Sequence, residues 1–468
     1  MAAGASLHDA CLATLPTLRG TFGLAAISPL EPEKLVIARR GSPIMVAEVA
    51  GGWIVASDRA PFAGHAESCL SLHDHELALL EPGSMKVNSP TGGSLARGLV
   101  AVGIDLADTT PGSFPNFMAK EIHEQPLAIR RCLAGRLVAD QIHSAGMRTI
   151  DEAIGTPERI VITGCGSAWH AGLIGAQMIE SLAGIPTEVH VASELRHREI
   201  PVSPGTLCVA VSQSGETADT LEAMRELARQ GATTFGVVNV VASALAQDTD
   251  AGMYLHAGPE VGVASTKAFT AQIAALALMA ASLSPAGAKR TEFLRSLANL
   301  PDAMARAVET ETAVRRVAER LAGEENWLFL GRGINWPVAL EGALKLKEIS
   351  YRHAEGLPAA EVKHGPLALV RPGLPVVLVA PSDHTAEKML GTIAEVKARG
   401  AHTVVITDGV EPRLTRGADD VILLPAVHRL LSPLVTTIPL QWLSYHTARI
   451  LGHDVDRPRN LAKSVTVE

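Results

Sequence analysis

Between residues 158 and 424 short apolar runs alternate with stretches of helical apolar spacing, and the alternation occurs twice. RIVIT (159–163), TEVHV (187–191), LCVAV (207–211) and FGVVN (235–239) make the first set. A run that is apolar on both faces must be covered on both faces, and helices between successive strands supply the cover. The first set therefore predicts a parallel sheet with helices on each side. NWLFL (326–330), LPVVLVA (374–380), HTVVIT (402–407) and DVILL (420–424) repeat the order more faintly. Two copies of one α/β unit are the economical reading. Aromatic residues are only 3% of the 468 residues while 47% are hydrophobic, so these cores are built from Ala, Val, Leu and Ile.

The flanks read differently. Runs at 21–27, 34–38, 44–47, 53–56 and 76–80 are strand-like and separated by Gly, Pro and Asp-rich turns, as in part of a sheet sandwich. A Thr, Pro and Gly-rich linker follows. Helical spacing begins at Phe117, with Pro126 expected in a first turn or at a break. The chain thus divides into 1–100, 101–120, 121–290, 291–452 and a polar tail, 453–468. A net charge of −8 without a long basic run argues against nucleic acid as partner. Five cysteines lack metal-type spacing and even pairing, so a reducing cytoplasm is expected, with no metal and no cofactor. The front lacks the pattern of a signal peptide. The longest apolar stretch, 273–281, is far short of the roughly 20 residues that span a membrane.

VSQSGETADT (211–220) joins the third apolar run to a helical stretch. A strand, a turn rich in Ser, Thr and Gly, then a helix collects an anion on free backbone N–H groups and the helix dipole. Ser212, Ser214 and Thr217 add hydroxyls. The loop holds no Lys or Arg, which suits a sugar phosphate better than a nucleoside triphosphate. The loop taken alone fits a simple helix cap equally well. The second copy has Pro381, Ser382 and Asp383 at the matching place, so only the first should hold phosphate.

The densest polar stretch is EGALKLKEISYRHAEGLPAAEVKHG (341–365). On a helix, Lys345 shares a face with Glu341 and Glu348. A Glu can shuttle a proton between neighbouring carbons, and a His such as His364 can open a sugar ring. A solvated helix face with ordinary salt bridges explains this segment as well.

The motifs together carry more. SQSGETADT, EVGVASTKAFT (260–270), ALKLKEISYRHAE (343–355), EVKHGPLAL (361–369) and DVDRPRNLAKSVTVE (454–468) closely resemble, in order and with matching gaps, the isomerase part of the isomerising glutamine–fructose-6-phosphate amidotransferases. The resemblance runs from about Phe117 to the last residue. It implies two flavodoxin-like sugar-isomerase (SIS) domains. It also implies roles. Ser212, Gln213, Ser214 and Thr217, with Ser167, look like the phosphate site. Val263, Ser265 and Ala462 look like sugar contacts. Glu348 looks like the base moving a proton between C1 and C2. His364 looks like the ring-opening residue reaching the site from a neighbouring subunit, which implies a homodimer. Lys463 looks like the Schiff-base lysine, and Lys345 its supporting cation. The family's turn continues with Thr-Ser where this chain has Ser167 and Ala168, a loss of one hydroxyl.

The front resembles only the rear half of the family's N-terminal-nucleophile glutaminase domain, through LRGTFGLAAI (18–27), ARRGSP (38–43) and IVASD (54–58). The family opens on Met-Cys-Gly, whereas this sequence opens on Met1, Ala2, Ala3, Gly4, and Cys11 lies in a helix-like context. The expectation is a β-rich remnant with an uncovered apolar face, no glutaminase activity, and ammonia as nitrogen source unless a separate glutaminase partner supplies it. A glucosamine-6-phosphate deaminase and a sugar-phosphate-binding regulator without turnover are the alternatives.

Overall fold

Thr206–Ser212 is the middle strand of a five-stranded sheet, and all seven of its residues are buried. The computed structural model describes residues 4–89, 93–103 and 105–465; the first three residues and the last three of the tail motif lie outside them. The sheet runs in the order Thr187–Val191, Arg159–Gly164, Thr206–Ser212, Thr233–Val238, Ala251–Tyr254, with every pair parallel. The second sheet runs His353–Pro358, Asn326–Gly331, Pro375–Val379, His402–Thr407, Asp420–Leu423, again all parallel. The two orders are the same. In each, the chain reverses direction of winding between its first and third strands, which opens a crevice at their carboxyl ends.

The sequence did not announce the two edge strands Ala251–Tyr254 and His353–Pro358. Both are mostly half-exposed, so neither carries the unbroken apolar run that marks a central strand. His353–Pro358 falls within the polar stretch 341–365. The helix Trp336–Ser350 ends there because Tyr351 turns left-handed, at φ 59°.

Pro126 is neither in a first turn nor at a break. It lies inside the helix Phe117–Leu133. A proline there leaves the carbonyl of residue 122 without its usual donor. The buried Gln125 side chain supplies one, its Nε2 donating to Ile122 O at 3.1 Å. The same amide donates to Gln441 Oε1 at 2.7 Å and its oxygen accepts from Thr270 Oγ1 at 3.1 Å. The repair of one helix thereby ties it to Lys267–Leu283 and to Ser432–Ile450.

In the N-terminal region two antiparallel sheets face each other, one of five strands and one of four. Ile37 and Leu80 of the first meet Val46 and Leu70 of the second in one buried core. The face expected to be uncovered carries the helix Leu7–Thr14, which packs Leu7, Cys11 and Leu12 against Val36, Ala38 and Leu77. Ile27 and Leu30 stay exposed. Among the described residues no helix is long and apolar enough to cross a membrane.

Candidate functional site

The loop 212–217 leaves the carboxyl end of Thr206–Ser212, on one side of the first crevice. Ser212 Oγ accepts from Gly215 N at 3.0 Å and lies 3.3 Å from Thr217 Oγ1. Ser214 Oγ accepts from Glu216 N at 3.1 Å. Gly215 sits at φ +68°, and a Cβ there would come within 2.1 Å of Ser243 Oγ, so this tight turn needs glycine. The helix-cap alternative does not hold in its simple form. Thr217 is the N-cap of Ala218–Arg229, but its hydroxyl makes no cap bond.

Ser167 stands on the other side of the crevice, at the start of the helix Ser167–Ala183. It reaches into the second half of the chain. Its Oγ donates to Glu341 Oε1 at 2.8 Å and accepts from Lys345 Nζ at 3.3 Å. His170, one turn on, pairs its Nδ1 with Glu341 Oε2 at 2.7 Å. Lys345 Nζ lies 2.6 Å from Glu348 Oε2 and 3.5 Å from Glu341 Oε1. This is not a solvated helix face: the side chains of Lys345 and Glu341 are each 1% exposed. Burial opposes the Lys345 charge, but Glu348 and Glu341 outweigh it and push its pKa up. Burial would raise the Glu341 carboxyl, yet Lys345 and His170 hold it below its ordinary range.

The tail folds back over the same crevice. Lys463 Nζ donates to Glu260 Oε2 at 2.5 Å and to Gly262 O at 2.8 Å. Ser464 Oγ donates to Ser214 Oγ at 3.0 Å, and Val465 O accepts from Ala218 N at 3.3 Å, at the helix start. Asp456 anchors the tail, its carboxylate accepting from Phe117 N and Met118 N, each at 2.8 Å. Its carbonyl accepts from Val263 N at 3.0 Å.

Glu260 is the hub of the 260–268 turn. It accepts from Thr266 N at 2.8 Å, Ala268 N at 3.0 Å and Ser265 Oγ at 3.2 Å. Burial pushes its carboxyl up, but Lys463 and these backbone donors bring it down to about 2. Glu121 props the turn from behind by accepting from Val261 N at 2.6 Å and Gly262 N at 3.2 Å. A Cβ at Gly262 would lie 2.9 Å from Glu121 Oε2, so a larger residue would push that carboxylate aside. Burial, then the nearby Glu260 charge, raises the Glu121 carboxyl to about 7.

The structure therefore gathers Ser167, Ser212, Ser214, Thr217, Lys345 and Glu348 with the tail residue Lys463 around one crevice. Gln213 is part of the same loop, its carbonyl accepting from Asn239 N at 3.1 Å. Val263 and Ser265 lie on the turn beneath Lys463, and Ala462 is exposed beside it. His364 does not join them. It ends the short turn Glu361–His364 beyond the edge strand of the second sheet, is exposed, and has no hydrogen bond to the cluster among the described residues. Sequence reasoning passed over Glu260, Glu121, His170 and Asp456. An acid six residues ahead of Thr266, at a helix start, is the one signal that could have exposed Glu260. Among the described residues no three His, Cys, Asp or Glu side chains cluster to hold a metal ion.

A protein-family model for the SIS domain matches residues 154–282 and 320–451. The glutamine–fructose-6-phosphate aminotransferase (isomerizing) of Chlorobaculum tepidum is 44% identical over 468 residues, 99% of this chain and 76% of the relative. That of Aquifex aeolicus is 40% identical over 462 residues, again 99% of this chain and 76% of the relative. The C-terminal domain of glucosamine-fructose-6-phosphate aminotransferase from Francisella tularensis superposes with a TM-score of 0.71 at 38% identity, covering 74% of this chain and all of that one. The glucosamine-6-phosphate deaminase of Thermotoga maritima shares the fold, with a TM-score of 0.60 at 24% identity over 75% of this chain and 99% of that one.

Proposed function

The chain belongs to the isomerising glutamine–fructose-6-phosphate aminotransferases, and from that premise we propose that it converts fructose 6-phosphate into glucosamine 6-phosphate. The observation that carries this reading is the tail lysine seated at the phosphate loop: Lys463 on Glu260 at 2.5 Å, with its neighbour Ser464 on Ser214 at 3.0 Å.

The loop hydroxyls of Ser212, Ser214 and Thr217, with Ser167, hold the phosphate and fix the sugar's far end. Gln213, Val263, Ser265 and Ala462 line the path from phosphate to ketone. His364 of a second copy moves a proton from the anomeric hydroxyl to the ring oxygen and opens the ring, so the working unit is a dimer. Lys463 adds to C2, and the carbonyl oxygen leaves as water with two of the ammonium's three protons, the third staying on the imine nitrogen. The protonated imine acidifies the C1–H bond and is a better electrophile than the ketone. Ammonia adds at C2 and displaces the lysine. Glu348 then carries a proton from C1 to C2. Lys345, buried with its Nζ 2.6 Å from Glu348 Oε2, fixes that carboxyl in place for both transfers.

Ammonia is the nitrogen donor in this reading. A thiol attacks as its thiolate, and burial raises the thiol pKa of all five cysteines, Cys11, Cys69, Cys132, Cys165 and Cys208. The test is a set of assays on the purified chain: fructose 6-phosphate with ammonium, fructose 6-phosphate with glutamine, and glucosamine 6-phosphate alone. Product with ammonium and not with glutamine is expected. Glutamine-driven product overturns the nitrogen assignment, and ammonia release as the sole activity overturns the direction. Borohydride reduction during turnover should leave the sugar phosphate on Lys463. Full activity in a species that sediments as a monomer would refute the shared His364.

A further inference from the structure

Glu216 lies inside the phosphate loop but points away from the crevice, toward the N-terminal sheets. Its Oε2 accepts from Arg39 Nη2 at 2.6 Å, across 177 residues of sequence. Both side chains are buried, at 5% and 6% exposure. Arg39 uses its whole fork. Nε donates to Asp74 Oδ1 at 3.1 Å and Nη1 to Leu72 O at 2.9 Å. The guanidinium is therefore fixed by the 72–74 connection of its own region before it meets Glu216.

The second Glu216 oxygen extends the connection. It accepts from Ala244 N at 2.9 Å, and Leu245 N donates to Gly215 O at 3.0 Å. The segment 241–245 thus backs the loop on the side away from the substrate. The N-terminal region grips that segment too, since Arg59 Nη2 donates to Val241 O. Both oxygens of Glu216 are engaged, and its amide donates to Ser214 Oγ at 3.1 Å. A shift of this carboxylate must carry Gly215 and the Ser214 hydroxyl with it.

We propose that Arg39 and Glu216 form a positioning pair through which the N-terminal β region sets the geometry of the phosphate loop, and so the affinity for the phosphate group of the substrate. The inference rests on the phosphate-site reading above and assigns a duty in substrate binding to the N-terminal region of this chain. Removing either partner leaves a buried charge unpaired, and the loop has to move or admit water to relieve it.

The experiment uses the full chain with Arg39→Met, Glu216→Gln and the double variant, and with Arg39→Lys as the variant that keeps a charge in place. Two constants are read: KM for fructose 6-phosphate with ammonium, and the dissociation constant of inorganic phosphate by calorimetry. Each single variant should raise both constants together, by roughly tenfold, the scale of one charged hydrogen bond, while kcat changes little. The double variant should be no weaker than the worse single, because the pair acts as a unit. Arg39→Lys should recover part of the affinity. Lowered thermal stability with both constants unmoved overturns the proposal, since the pair then only holds two regions together. Wild-type chain that binds phosphate but forms no product overturns the catalytic reading alone, and phosphate binding still judges the pair. Wild-type chain that binds no phosphate overturns both.

Discussion

The two parallel sheets have one strand order, and each ends its middle strand in a Ser-containing loop, yet the loops use their donors in different ways. In the first, Ser212, Ser214 and Thr217 bond only to the loop's own amides, to one another and to the tail hydroxyl of Ser464. Among the described residues no carboxylate bonds to these hydroxyls. In the second, Asp408 fills the mouth. Ser382 N lies 3.2 Å from both Asp408 oxygens, the Ser382 hydroxyl donates to the same carboxylate, and Val410 N adds a donor at 3.1 Å. Asp383 takes Thr385 N at 2.7 Å and its hydroxyl at 2.6 Å. The second loop thus carries its own anions and repels a phosphate. On the proposed reading, one fold written twice holds one phosphate site, because a handful of side chains decides which mouth stays open to an anion.

Replacing Lys463 should break the asymmetry most severely. Lys463→Ala removes the only amine that Glu260 and Gly262 O place over the first mouth, and turnover should fall by about 10³-fold or more; steady-state rates with ammonium check this, and unchanged turnover removes the imine. The loop hydroxyls come next. Ser214→Ala or Thr217→Ala should raise KM for the sugar phosphate by roughly tenfold each, as for one lost hydrogen bond. Ser382→Ala, at the matching place in the second sheet, should leave KM unmoved and cost about 1 kcal/mol in urea unfolding. An equal KM effect at both loops would refute the division of labour.

A pH dependence of stability, which leaves the reaction itself untouched, is specific to the first half. The Glu121 carboxyl sits at about 7 in the folded chain against its ordinary 4.5. The native state therefore keeps a proton that the unfolded chain releases between those values. Stability falls as pH rises through that window, by roughly 1–3 kcal/mol, and levels off above it. Glu121→Gln should flatten this part of the curve and be the more stable form at pH 8. Glu260, held down to about 2, acts in the opposite sense and only below pH 4.5. Chemical unfolding at pH 5 and 8 measures the difference; parallel curves for the two proteins would contradict the burial argument.

Much of this was legible in the residues. The central strands could be read because burial on both faces demands continuous Val, Ile and Leu, as at Leu207, Cys208, Val209, Ala210 and Val211, all fully buried. The edge strands Ala251–Tyr254 and His353–Pro358 could not, since half-exposed strands of mixed composition carry no apolar run. Pro126 misled because the donor that spares its helix is a side chain, and whether Gln125 turns inward depends on Gln441, 316 residues away. From its spacing alone Lys345 fitted a surface ion pair as well as a supporting cation. Only the packing of the second half's helix against Ser167 and His170 makes it a buried charge.

By itself the sequence determined the doubled sheet, the Ser- and Thr-rich loop proposed to take the phosphate, and the set of polar side chains available near it. Those follow from local pattern: apolar period, turn chemistry and residue type. Tertiary structure decided which of them meet. Glu260 finds Lys463 across 203 residues, Glu121 finds the 261–262 amides across 140, and Arg39 finds Glu216 across 177. Separations of that length leave no periodic trace, because a partner chosen by packing is constrained in space and not in spacing.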